Sequence, residues 1–328
     1  MLEVPPPEAR AAFEPGFAPR ALLTVDTEEE FDWNGPFSLT GHGLDHVPRL
    51  RKFQQFCENI GVSPVYLIDW PIAHSSYAID TIGGAVRDGR AEVGIQLHPW
   101  VNPPHREEVN ARNSFAGNLP AAVEREKFLR LRDAIAENFD VQPMIYRAGR
   151  YGLGPNTAEL LKDAGIPIDS SVRAHFDYSA GEGPDYRNHP SHPYWVDQER
   201  TLLELPLTSP FSGRLRQQGK WLYPALRHLP AMRSALARAG LLERISLTPE
   251  GVSAAEALRG VESALEVNLP VMILSFHSPS IVPGYTPYVR SEDDLDDLYD
   301  WWRTIYAELR KRGVQPTTVA EIMQNVQR

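Results

Sequence analysis

Short apolar runs rich in strand-forming residues alternate with longer segments of helical apolar spacing, almost from end to end. The short runs predict strands at 21–25, 64–68, 91–97, 144–146, 166–169, 201–207, 270–276 and 314–318. The amphipathic segments predict helices at 45–60, 77–88, 120–139, 155–164, 225–242, 254–266 and 292–312. The punctuation agrees: Pro155 suits a first helical turn and Gly165 a helix stop. The segment 292–312 opens with acids and closes with bases, matching its dipole. Strand–helix alternation of this kind means parallel strands joined by helical crossovers, with chemistry at the C-terminal strand ends. The pattern lapses at 173–198, a long loop rich in Gly, Pro, His, Asp and Tyr. The Pro-rich residues 1–20 read as an extended arm, and no linker divides the remainder. The expected organisation is that arm followed by one domain, 21–328, with an irregular insertion around 173–198.

Several predicted strands end in polar groups fit for chemistry. The first runs into Asp26-Thr27-Glu28-Glu29-Glu30. Strand alternation puts Asp26 and Glu28 on one face, where two carboxylates repel and burial penalises each. A metal ion or a base role relieves that cost; an acidic loop in water is the plainer alternative. Gln96 and His98 share a face at the end of the third strand, followed by Trp100. Arg147 and Tyr151 follow the fourth, Asp169-Ser170-Ser171 the fifth, and His277 ends the 270–276 run. Each alone has a structural explanation: a cap, an ion pair or a packed ring. Their recurrence at successive strand ends describes a hydrolytic pocket. No Gly-x-Ser-x-Gly surrounds a serine, so a nucleophile elbow is excluded.

Composition narrows the class. Apolar residues make up 42% of the 328, enough for a sizeable core. A net charge of -10 argues against a nucleic-acid binder. No apolar run reaches the ~18 residues that span a bilayer, and residues 1–20 hold no apolar signal core. A cytoplasmic protein with no membrane partner is therefore expected. The single cysteine, Cys57, excludes an internal disulfide and a cysteine zinc site, and its apolar surroundings read as a buried thiol.

In order, these strand ends resemble the polysaccharide deacetylase family of NodB-homology, carbohydrate esterase 4 type, in a divergent branch. The matching segments are Thr24-Val25-Asp26-Thr27-Glu28, Glu92-Val93-Gly94-Ile95-Gln96-Leu97-His98, Arg147-Ala148-Gly149-Arg150-Tyr151-Gly152, Asp169-Ser170-Ser171 and Ser275-Phe276-His277. The resemblance spans 22–318 and implies a distorted seven-stranded (β/α) barrel of the glycoside hydrolase/deacetylase type. It also implies metal-assisted removal of an acetyl group from an N-acetylated sugar, with a carbohydrate as partner and a divalent metal, zinc, as cofactor. By that likeness Asp26 is the base, tuned by Arg147. His277 is the acid, oriented by Asp169. Trp100 and Tyr151 stack on sugar rings.

The implied metal set is altered. The family uses one Asp and two His. Here Thr27 follows the base, so Glu28 takes the acidic ligand's place. Gln96 stands where a His is expected and Trp100 four residues further, leaving His98 the only imidazole on that strand. The expected ligands are Glu28, His98 and a weak Gln96, with His105 in reach from the next loop. The alternatives are a metal-free carbohydrate-binding protein and, less favoured, a glycosidase built on a carboxylate pair.

Overall fold

The first apolar run forms the strand it predicts, extended at both ends. In this computed structural model, which describes residues 1–33 and 35–328, the chain runs β1 (Arg20–Thr27), α1 (Leu50–Asn59), β2 (Val65–Ile68), α2 (Trp70–Ala73), α3 (Ser76–Arg87), β3 (Glu92–Leu97), α4 (Ala121–Phe139), β4 (Ile145–Ala148), α5 (Thr157–Asp163) and β5 (Ile168–Asp169). It continues through β6 (Tyr194–Trp195), β7 (Leu203–Glu204), β8 (Phe211–Ser212), α6 (Gly219–Ala225), α7 (Pro230–Arg238), β9 (Glu243–Arg244), α8 (Ala254–Glu266), β10 (Val271–His277), α9 (Glu292–Lys311), β11 (Gln315–Pro316) and α10 (Val319–Asn325).

The main sheet has the order β10-β1-β2-β3-β4-β5-β7-β6, with β11 added beside the start of β1. All pairings along it are parallel except β6 with β7. This curled α/β sheet is open, which corrects the expectation of a closed seven-stranded barrel. The seam lies between β7 and β10. There Pro206 and Pro210 remove ladder donors, and only scattered bonds cross. Ile273 N–H donates to Thr208 Oγ1 (2.9 Å), and Ser275 N–H to the Leu247 carbonyl (3.2 Å).

Side-chain alternation sorts the strands into two cores. Ala21, Leu23 and Val25 face outward and pack with Phe53, Trp302 and Ile305 under the helices. Leu22, Val65, Leu67, Ile145, Ile168, Leu203, Val271 and Ile273 face inward. Phe17 and the α10 side of the chain (Val319, Ile322, Val326) join this inner cluster. The inner core is apolar at the strand starts, so polar side chains inside the sheet are confined to the strand ends. Cys57 is buried on α1 and its thiol pKa is pushed up by burial.

Departures from the predicted elements have local causes. Of the predicted 225–242 helix only α7 forms, opening on Pro230 and ending at Arg238, while the unpredicted α6 precedes it and ends at Ala225. The 314–318 strand shrinks because Thr318 caps α10, accepting from Glu321 N–H. The unpredicted α2 exists because Asp69 caps it, accepting from Ile72 N–H at 2.9 Å. α9 carries a reciprocal Ser291–Asp294 capping box at its acidic start. Among the described residues, no helix is long and apolar enough to cross a membrane.

Candidate active site

The inward parity of β1, β3, β4 and β10 brings Asp26, Gln96, Arg147 and His277 to the upper rim of the sheet, with Glu28 and His98 just beyond. These residues, with Trp100, Tyr151, Phe31, Trp33, Phe37, Tyr178 and Tyr288, line one cavity of about 290 Å³. The sequence-predicted carboxylate, imidazole, guanidinium and aromatic groups therefore meet, with two exceptions. His105 is exposed beside Glu107 and Lys127, away from this cavity. Asp169 is the other.

Asp169 pairs in register with Tyr146 and Glu204, on the opposite face from inward-pointing Ile168. Its carboxylate accepts from Ser171 N–H (3.0 Å) and Ser171 Oγ (2.6 Å) and makes no contact with His277. Strand parity is the reason: one residue along β5 reverses the face. The carboxylate that holds His277 is Glu250, from the loop before α8. Its Oε2 lies 2.7 Å from His277 Nδ1, and its Oε1 accepts from the His277 N–H (3.1 Å) and Ser280 Oγ (2.6 Å).

Across the cavity floor, His277 Nε2 sits 3.7 Å from Asp26 Oδ2. Fully buried Arg147 donates to Asp26 Oδ1, to Thr24 Oγ1 (3.0 Å) and to the Ser170 carbonyl (2.8 Å). Burial by itself lowers the His277 pKa. The Glu250 carboxylate, with Glu28 and Asp26, outweighs that and holds it up at about 10. His277 is thus an imidazolium at neutral pH, able to donate a proton from Nε2. Removing the Glu250 charge takes away its largest support. Glu250→Gln is expected to move the alkaline limb of any activity down by about 1–3 pH units, measured as the pH profile of kcat. An unmoved limb would mean that His277 does not set it.

On the other wall, Glu28 and His98 face each other. His98 Nδ1 lies 2.9 Å from Glu29 Oε2, with Asp69 Oδ2 at 4.0 Å. Trp100 Nε1 donates to Glu29 Oε1 (2.6 Å), and Glu29 N–H donates to Asp69 Oδ2 (2.7 Å). Acceptors around Nδ1 place the proton there, leaving the Nε2 lone pair toward the cavity. Burial keeps this imidazole neutral, with its pKa lowered to about 4. Nε2 then confronts Glu28 Oε2 at 3.4 Å, acceptor against acceptor, unless a proton or cation lies between. Glu28 Oε1 and Gln96 Oε1 are buried without a hydrogen-bond partner. Burial raises the Glu28 pKa well above the carboxylate range, more than His277 lowers it.

A neutral imidazole nitrogen, a buried carboxylate and two oxygens without hydrogen-bond partners thus share this wall. Glu29, Asp69 and His98 also bring ligand atoms within 4.8 Å of one another, a buried cluster able to coordinate a divalent metal. Its oxygens, however, already accept from Trp100, Ile72 and the Glu29 backbone. A relay reaches Glu28 from behind. Glu28 N–H donates to Ser278 Oγ (3.2 Å), which meets His46 Nε2 (2.8 Å), while His46 Nδ1 meets Glu30 (2.8 Å).

Sequence reasoning missed Glu29, Asp69, Glu250, Arg150 and Arg173. The three consecutive acids of 28–30 were visible, but Glu29 has the opposite parity to Asp26, and Glu30, of the same parity, lies beyond the end of β1 at Thr27. Glu29 and Glu30 turn away to hold His98 and His46. Asp69, directly after β2, carried the strand-end signal and was passed over. For Glu250 the chain offers only a Pro-Glu-Gly loop, which says nothing of His277.

The open, curled α/β sheet with a polar pocket at its C-terminal strand ends is a fold shared with solved structures. A protein from Parabacteroides distasonis, provisionally named a glycoside hydrolase/deacetylase, superposes with a TM-score of 0.59 at 12% identity, over 90% of this chain and 68% of that one. Two provisionally named polysaccharide deacetylases align at lower scores. The one from Mycobacterium smegmatis has 15% identity, 97% and 98% coverage and a TM-score of 0.48. The one from Pseudomonas aeruginosa has 15% identity, 94% and 90% coverage and a TM-score of 0.49. No family model matches the chain. No curated protein matches it.

Proposed function

We propose that the protein is a hydrolase that removes the acetyl group from an N-acetylated sugar. One observation carries this reading. An acceptor, Asp26, and a proton donor, His277, stand 3.7 Å apart on adjacent strands, each held by its own buried partner of opposite charge. That arrangement serves a reaction in which water loses a proton and a leaving amine gains one. Asp26 Oδ2, the oxygen Arg147 does not occupy, takes the proton of the attacking water. His277 Nε2 gives a proton to the departing amine, and Glu250 stabilises the imidazolium until it does. The aromatic wall, with Trp100 and Tyr151, offers flat faces to a sugar ring. Carbohydrate is the proposed partner.

Glu28, His98 and Gln96 would hold a divalent cation, zinc by the nature of an imidazole and two oxygen donors. When bound, such a cation polarises the acyl carbonyl and acidifies water. The unpartnered oxygens of Glu28 and Gln96 support this assignment. A metal-free binding protein is the second reading, favoured by the Gln96 Nε2 contact to Glu28 Oε2 at 3.3 Å, which fills the wall without an ion.

The deciding experiment combines metal analysis of the purified protein with acetate release from N-acetylglucosamine oligomers, before and after adding zinc or cobalt. Acetate released with metal supports the hydrolase. Sugar binding with no bound metal and no acetate supports the second reading. Gln96→His is expected to tighten zinc binding by about 10-fold or more, since it replaces a neutral amide oxygen with imidazole. Calorimetric zinc titration checks this, and unchanged affinity would remove Gln96 from the ligand set.

A further inference from the structure

The cavity has a second polar wall that the acetyl-removing chemistry does not use. Arg173 and Arg150 both line it. Each is held by neutral groups. Arg173 donates to Tyr178 Oη (3.3 Å) and Ser246 Oγ (3.2 Å), and its guanidinium lies over the rings of Phe176 (3.8 Å) and Tyr151 (5.4 Å). Arg150 donates to the Ala111 carbonyl and Ser114 Oγ and lies over Phe37 (5.0 Å) and Phe115 (4.1 Å). Among the described residues, neither forms an ion pair with a carboxylate, in a chain of net charge -10. The contrast is with Arg147 and Lys127, whose buried charges are matched by Asp26 and Glu107. A sheltered guanidinium without an anion is costly to keep.

Both arginines are rigidly presented. Arg173 continues β5 and bridges in parallel to Leu207. Arg150 and Tyr151 are consecutive non-glycine residues at φ 55° and 63°. Left-handed backbone of this kind costs of order 1–3 kcal/mol per residue and clusters at binding sites. Tyr186 Oη holds the turn by donating to the Tyr151 carbonyl (2.7 Å). Behind Arg173 and His277 opens a side chamber of about 60 Å³, walled by the hydroxyl residues Thr208, Ser209, Ser246, Thr248 and Ser275 and by Glu250, whose two carboxylate oxygens are engaged by His277 and Ser280. It has room for a group of a few heavy atoms.

We propose that Arg173, with the hydroxyl-lined chamber beside it and Arg150 on the same wall, is a carboxylate subsite, so that the substrate is an acidic sugar chain. This rests on the hydrolase reading for the scissile group, and it names the substrate class. A planar carboxylate suits the guanidinium fork and the small chamber.

The test compares two oligomers of equal length, neutral N-acetylglucosamine and N-acetylglucosamine alternating with glucuronate. Each is followed by acetate release and by calorimetric binding, in wild type, Arg173→Gln, Arg173→Lys and Arg150→Gln. Wild type is expected to prefer the glucuronate chain by about 10- to 100-fold, the range of one or two charge-assisted hydrogen bonds. The preference falls as salt rises. Arg173→Gln brings the ratio toward one and Arg173→Lys restores part of it; Arg150→Gln lowers it through a separate residue. Equal acetate release from both chains, with a ratio that Arg173→Gln leaves unmoved, overturns the subsite and spares the hydrolase. Preferential binding of the glucuronate chain without acetate release does the reverse. Preference for an O-sulfated oligomer over the carboxylated one overturns the carboxylate assignment.

Discussion

Asp26→Asn is expected to lower kcat for acetate release by about 10²- to 10⁴-fold, the range of a lost general base. The amide is nearly isosteric, and its oxygen still accepts from Arg147, so the pocket keeps its shape. It cannot take a proton from water. The loss should therefore fall on kcat, with KM changed far less, because Asp26 lies on the floor of the cavity and the aromatic wall stands elsewhere. The variant also removes a negative neighbour of His277 Nε2, so its alkaline limb should move down. A thermal melt confirms that the variant is folded at the assay temperature. Steady-state kinetics that keep a tenth or more of wild-type kcat would take the base role from Asp26.

The second large effect is on stability. Arg147→Ala leaves the Asp26 carboxylate buried without its cation and strips the donor that ties β4 to Thr24 and Ser170. Breaking a buried pair from one side costs about 3–5 kcal/mol. A denaturant midpoint shift is the readout. The variant Asp26→Asn/Arg147→Met removes both charges and keeps the volume, and is expected to recover a good part of that loss. It should remain inactive. Additive losses across Asp26→Asn, Arg147→Met and their double variant would show that the two residues are not energetically paired.

The alternation of strand and helix needed only the local periodicity, and most predicted elements lie within a few residues of those found. The errors mark where local signals compete with distant ones. β5 and β7 are only two residues long because their partners and Pro206 end the ladder. No pattern within 166–207 reveals that limit, and so none revealed that the barrel stays open. The convergence of Asp26, Arg147, His98 and His277 was legible because all four sit at strand ends of inward parity. The partner of His277 was not: Asp169 and Glu250 are both carboxylates near the right rim, and only the three-dimensional face of β5 separates them.

The sequence by itself determined an α/β chain whose polar strand ends gather in one pocket, because alternation along a strand is a property of consecutive residues. It also determined that Gln96 and His98 share one strand face, since parity needs no coordinates. The tertiary structure decided which carboxylate serves which histidine, that Glu28 and Gln96 keep unpartnered oxygens, and that Arg150 and Arg173 line the same cavity with no ion-pair partner among the described residues. Those are contacts between segments tens to hundreds of residues apart. Such contacts arise from sheet register and loop path, which no local pattern encodes.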